Sequence, residues 1–135
     1  MAPVLLGLVA VFFLGMGLLG LAVPERLIRP FGISLESATA RTEVRAVYGG
    51  FGVAVAVLLG FAAFDVGGIQ RGVAIAVAVA LGGMALGRLV ARFAERPERF
   101  YPSWLYFWVE IVLAGLLTLA GLGARRIAFS GLNAI

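Results

Sequence analysis

VLLGLVAVFFLGMGLLGLAV, the run from Val4 to Val23, holds twenty residues and no charge. Coiled as a helix at ~1.5 Å of rise per residue, such a run covers ~30 Å, the thickness of the hydrocarbon in a bilayer. It offers no polar face to water on any side, so the solvent that suits it is lipid. Three more apolar spans follow, at Val44–Phe64, Gly72–Ala91 and Trp104–Gly123. With their flanking turns, the four predicted helices cover about residues 4–23, 40–64, 72–93 and 103–124, each close to the ~20 residues that a crossing needs.

The composition agrees. Of 135 residues, 62% are hydrophobic and 13% charged, where soluble domains carry about 25% charged residues. A chain of this length is expected to form one domain. It could not hide so much apolar surface in a core of its own, because small domains bury a limited share of their surface. The predicted fold is therefore all-α, an integral membrane four-helix bundle. Cysteine and histidine are both absent. Their absence excludes disulfides, thiolate chemistry, the usual zinc sites and histidine bases. No nucleotide loop or nucleophile–base pair is visible either. No catalytic residue, metal site or cofactor is expected, and the reading leans away from an enzyme.

The net charge is +4 and all eleven cations are arginine. They sit at the ends of apolar runs, which points to lipid headgroups and orientation rather than to nucleic acid. Gly20-Leu21-Ala22 loosely resembles a cleavage site, but no basic residue precedes the first run, so it is expected to persist as a helix. Phe64–Gly72 is a short Gly-rich turn, which makes the second and third helices antiparallel neighbours. Ala91–Ser103 is charged and holds Pro97 and Pro102. Pro24–Glu43 is too long for a simple turn. Its Leu27–Phe31 stretch is expected along the interface, with Ser37 or Thr39 capping the second helix.

The links after the first and third helices hold Arg26, Arg29, Arg41, Arg45, Arg92, Arg96 and Arg99, with Arg88 near the same face. The other side holds Arg71, Arg125 and Arg126. The positive-inside rule then predicts an up-down-up-down bundle with both termini on the non-cytoplasmic side, in a bacterial inner membrane. Phe100, Tyr101, Trp104, Tyr106, Phe107 and Trp108 would form an aromatic belt at the inner interface. The tail from Ile127 to Ile135 is mildly apolar and suits the membrane surface.

Helices in lipid associate through close backbone approach, which small residues permit. Three stripes of such residues stand out: Ala46, Gly50 and Ala54; Gly83, Gly87 and Ala91; and Ala114, Thr118 and Gly121. Charge at membrane depth costs about 2.5–3.5 kcal/mol on insertion scales, so the ionisable residues in the spans are functional candidates. They are Glu43, Arg45, Arg88 and Glu110, and Tyr48 and Tyr106 could extend the set. Only about thirteen apolar residues follow Glu110, too few to cross, so Glu110 must lie inside the fourth span. It either faces inward with a partner or sits at the lipid edge. Arg88 either snorkels to headgroups or pairs with Glu110 or Glu43. Glu43 shares a face with Ala46, Val47 and Gly50. Arg45, about 200° further round, cannot face the same partner. A cluster of Glu43, Arg45, Tyr48, Arg88 and Glu110 would serve as a structural lock or line a ligand pocket.

The run Glu43-Val44-Arg45-Ala46-Val47-Tyr48-Gly49-Gly50-Phe51-Gly52 resembles the signature of a bacterial family of small four-span membrane proteins of unknown function. The architecture is similar to the wider DoxX-like group of four-helix membrane proteins. Gly87-Arg88-Leu89 and Glu110 resemble further marks of that family, and the resemblance covers nearly the whole chain. It implies a helical bundle and charged residues worth testing, and no activity. Three functions stay open. One is a non-catalytic accessory, assembly or scaffold component of a larger membrane complex, or a homo-oligomer. A second is a binder of a lipid or amphiphile in an intramembrane polar pocket. The third is a small proton-coupled transporter. Compact four-span exporters carry their membrane glutamate in the first helix, and the first helix here has none.

Overall fold

A computed structural model describes the backbone of residues 1–95 and 100–132, with side chains as far as Gly123. Arg96, Pro97 and Arg99 of the third link, the side chains of Arg125 and Arg126, and the last residues of the tail lie outside this description. The described chain is helical and contains no strand. Four helices are long and apolar enough to cross a membrane: Ala2–Ala22, Ala38–Ala63, Gln70–Ala94 and Phe100–Gly123. Each begins two or three residues before the predicted start. For the second helix the reason is local: an apolar count begins at the first greasy residue, whereas the helix begins at its cap. Ser37 accepts a hydrogen bond from the Ala40 amide at 3.0 Å, so of the two candidates Ser37 caps the second helix. Asp65, in the left-handed region at φ 51°, accepts one from the Gln70 amide at 3.0 Å. The backbone of the last helix continues through Leu132.

Between 22% and 33% of each span is buried. The rest is exposed and apolar, including Leu8, Val11, Phe61, Val79, Leu86 and Leu119. That surface suits acyl chains and would be costly in water.

The chain divides into two compact units. One comprises Met1–Val9 and Leu59–Ile135. Its core includes Leu6, Val9, Leu59 and Ala62, with Ala74, Val77, Ala78, Leu81 and Ala85 from the third helix and Leu117 and Ala120 from the fourth. The third-helix set recurs every three or four residues, the spacing of one helical face. In the fourth helix, Gly121 lies against Ala74 and Ile75, while Glu110 meets Arg88. Contacts therefore step in opposite senses along the two helices. The Gly-rich turn that starts this unit's helical pair is closed by side chains as well: the Gln70 amide group donates to the Ala62 carbonyl at 3.1 Å.

The other unit is Ala10–Leu58. Here two helices meet through glycine. A Cβ placed on Gly17 would stand 2.7 Å from the Val53 nitrogen, and one on Gly20 would stand 2.9 Å from the Gly49 nitrogen. Gly49 and Gly52 face them just as tightly, with Gly52 opposite the Gly17 Cα at 3.0 Å. Nothing but hydrogen fits in these positions, and the gain is dispersion contact along two backbones. Of the three expected stripes, only the third supplies a residue at such a contact, Gly121; the residues of the first two lie elsewhere. Ala46, Gly50, Ala54, Gly83 and Gly87 are all exposed, and Gly83 and Gly87 have open space where a Cβ would be.

The second helix contains one wide turn. Arg45–Gly50 is a π turn, and the Phe51 amide donates to the Ala46 carbonyl five residues back. Arg45 and Gly49, one turn apart, share a face. Both meet the same residue. The Arg45 Nε donates to the Leu21 carbonyl at 3.0 Å, and Gly49 lies against the Leu21 backbone. Leu21 stands in the last turn of the first helix, where carbonyls lack helical partners and a cation is favoured. Beyond that helix, Pro24–Ile28 forms a single turn whose Leu27 and Ile28 bury against Val44, with Met16 and Leu35 beside them.

Candidate functional site

Glu110 is the one buried charged residue among the described residues, at 3% exposure. Burying a lone carboxylate is costly, and a buried charge needs a partner with donors. The third helix supplies it. The Arg88 Nε lies 3.0 Å from both Glu110 carboxylate oxygens, and an Arg88 Nη lies 3.0 Å from Oε1. The guanidinium thus clasps the carboxylate by one edge, the geometry that makes arginine pairs stronger than point-charge contacts.

Helix periodicity makes the meeting possible. Arg88 continues the buried stripe Ala74–Ala85 at a three-residue step, and Glu110 stands seven residues before the buried Leu117. Arg88 lies six residues before the end of its helix at Ala94, a depth of about 9 Å. A second contact orients the guanidinium: its carbon sits 5.4 Å from the centre of the Tyr106 ring, within cation–π range. Tyr106 precedes Glu110 by one turn, so one face of the fourth helix gives both the acid and the ring. Further round, Trp104, Phe107 and Trp108 pack edge to face at 5.5 and 5.3 Å.

Beside the pair is an open groove of about 320 Å³ lined by Met84, Gly87, Arg88, Ala91 and Ser103. Arg88 forms part of its wall, whereas Glu110 does not. The Arg88 side chain is 23% exposed and that of Glu110 only 4%. The positive member therefore faces the groove and the negative member is shut behind it.

A family model described as a domain of unknown function, DUF4345, matches residues 1–120. The chain belongs to the DUF4345 family. No match was found among curated proteins or solved structures. Within this DUF4345 chain, the predicted site residues divide between the two units. Arg88 and Glu110 are joined in one, with Tyr106 against them. Glu43, Arg45 and Tyr48 belong to the other, and all three are exposed there. Arg45 is bonded to the Leu21 carbonyl. The face that Glu43 shares with Ala46, Val47 and Gly50 is exposed throughout, because the face that meets the neighbouring helix carries Gly49 and Gly52 instead.

Two groove residues, Met84 and Ser103, were not singled out by sequence. A signal was there: Ser103, Tyr106 and Glu110 fall at i, i+3 and i+7, and Met84, Gly87 and Ala91 repeat that spacing. Each set marks one face of one helix. Among the described residues, no cluster of acids could hold a metal ion.

Proposed function

We propose that this protein is a non-catalytic, four-span membrane protein that holds an amphiphile in the groove against the Arg88–Glu110 pair. The observation that carries the reading is the groove itself: a ligand-sized space whose described lining sets Arg88 and Ser103 beside Met84, Gly87 and Ala91. A pair that only locked two helices together would need no such space beside it.

The setting proposed for the site is an up-down-up-down bundle in a bacterial inner membrane, with both termini on the non-cytoplasmic side. The excess of arginine in the links after the first and third helices supports this orientation. It sets the groove near the inner leaflet, next to the aromatic residues that open the fourth helix. The run Glu43–Gly52 is proposed as the family's signature and, with it, a kinship to DoxX-like bundles. What supports the first is that the run contains the π turn and the glycines on which one helix pair closes.

Mass spectrometry of the protein released from its native membrane tests the reading. The expected result is a co-released amphiphile that is lost from a Gly87→Leu variant. Position 87 has open space around its Cβ, so a leucine side chain there starts into the groove without a clash at its Cβ. A wild-type protein released bare, or a variant that keeps the same adduct, would overturn the proposal. The same spectra report attached subunits, which an accessory or assembly component of a larger complex would carry.

A further inference from the structure

We infer that the head held in the groove is anionic, a phosphate or carboxylate carried on an acyl chain. This rests on the amphiphile-binding reading above and adds the chemistry of the head.

The pair is neutral as a whole but one-sided in what it shows. The Glu110 side chain is 4% exposed and contributes nothing to the groove wall, whereas Arg88 is 23% exposed and forms part of it. A ligand in the groove lies against the Arg88 side chain and not against Glu110. Ser103, whose hydroxyl is able to donate, belongs to the same described lining. The next charge along the third helix towards its end is Arg92, one turn from Arg88 and exposed. Glu95 comes only three residues later, past the last helical turn. The helix charge nearest the groove on that side is thus a cation.

The apolar part of the wall fixes the other half of the ligand. Met84 stands one turn deeper than Arg88, about 6 Å further into the span. Gly87 is the open floor, with nothing within 4 Å of a Cβ built on it. A volume of about 320 Å³ is at the small end for a ligand site. It accommodates a head and the first part of a chain, and the open side lets the remainder continue among the acyl chains that surround the helix. Tyr106, at 5.4 Å from the guanidinium carbon, holds the guanidinium plane in place, so the site is formed before the ligand arrives.

The test uses the full chain in mixed micelles containing equal amounts of phosphatidylglycerol and phosphatidylcholine, read by native mass spectrometry. Wild type should retain phosphatidylglycerol over phosphatidylcholine by about tenfold, the scale of one charge-assisted hydrogen bond. The double variant Arg88→Met with Glu110→Leu replaces the pair by apolar side chains of similar size, which helices tolerate, and should lower that preference to unity. Gly87→Leu should remove both lipids. If wild type holds both lipids equally and Gly87→Leu still removes them, the groove binds amphiphiles but the anionic head is wrong. If Gly87→Leu removes neither, the groove reading itself fails. Free glycerol phosphate that displaces phosphatidylglycerol at equal concentration would assign the site to a soluble anion and overturn the acyl-chain half of the proposal.

Discussion

Removing either partner of the Arg88–Glu110 pair should destabilise the protein, and the two removals should differ. Arg88→Met leaves the Glu110 carboxylate at 4% side-chain exposure with its clasping donors gone. Breaking a buried pair in this way costs about 3–5 kcal/mol. Glu110→Leu leaves a guanidinium that is already 23% exposed and lies about 9 Å from its helix end. Its side chain is long enough to turn towards the headgroups, so the expected cost falls to about 1–2 kcal/mol. The double variant removes both charges and should return to within about 1 kcal/mol of wild type. The cycle then closes with a coupling energy of at least about 3 kcal/mol. Unfolding of the purified protein in mixed micelles by rising dodecyl sulfate measures all four corners. Trp104 and Trp108, the chain's two tryptophans, sit at the head of the fourth helix and report the transition by fluorescence. A coupling energy below about 0.5 kcal/mol, the ordinary scatter of additivity, would refute the pair as an energetic unit. Equal costs for the two single variants would refute the exposure argument while leaving the pair intact.

The same titration checks three further expectations. Gly17→Leu forces apart backbones that leave 2.7 Å for its Cβ and should cost about 1–3 kcal/mol or more, whereas Gly83→Ala, in open space, should be neutral or stabilise by up to about 1 kcal/mol through helix propensity. Arg45→Ala withdraws the donor from the Leu21 carbonyl and should cost about 1 kcal/mol, the effect being small because Arg45 is exposed. Asp65→Ala removes the acceptor for the Gln70 amide at a left-handed φ and should cost about 1–2 kcal/mol, with Asp65→Asn nearer to wild type. Orientation is checked separately. The chain has no cysteine, so Ser34→Cys and Val66→Cys each give a single thiol. An impermeant reagent added to spheroplasts should label the second and not the first, and labelling of both would overturn the alternating topology.

The spans were legible because lipid imposes a simple demand: enough consecutive apolar residues to cross. Length and hydropathy answer it without any knowledge of packing. The faces of the helices were not legible in the same way. In a soluble helix the inward face is read from polarity, but the first helix is apolar all round, so Leu6, Val9, Gly17 and Gly20 look no different from the exposed Leu8, Val11 and Leu18. Residue size was the remaining clue, and it pointed to Ala46, Gly50 and Ala54. The clue was not specific enough there. Ala46, Gly50 and Ala54 share one stripe, but so do Gly49, Gly52, Ala56 and Leu59, and it is the second stripe that is buried. Both stripes hold small residues at helical spacing, so size alone does not choose between them.

Charge was the better guide, because lipid penalises it most. Glu110 had to lie within the fourth span on length alone, and a carboxylate at that depth needs donors. Arg88 could have met the demand of the headgroups instead, and residue type does not decide between the two. The deciding quantity is register: Arg88 extends the buried stripe Ala74–Ala85, which meets the fourth helix at Gly121 at one end and at Glu110 at the other. An arginine on the same helix one residue earlier or later would point about 100° away and could only snorkel. The buried stripe of the third helix therefore determines which of its charges is paired. Arg88 lies on that stripe, and the groove beside it follows from Gly87, where the helix has no side chain to fill the space.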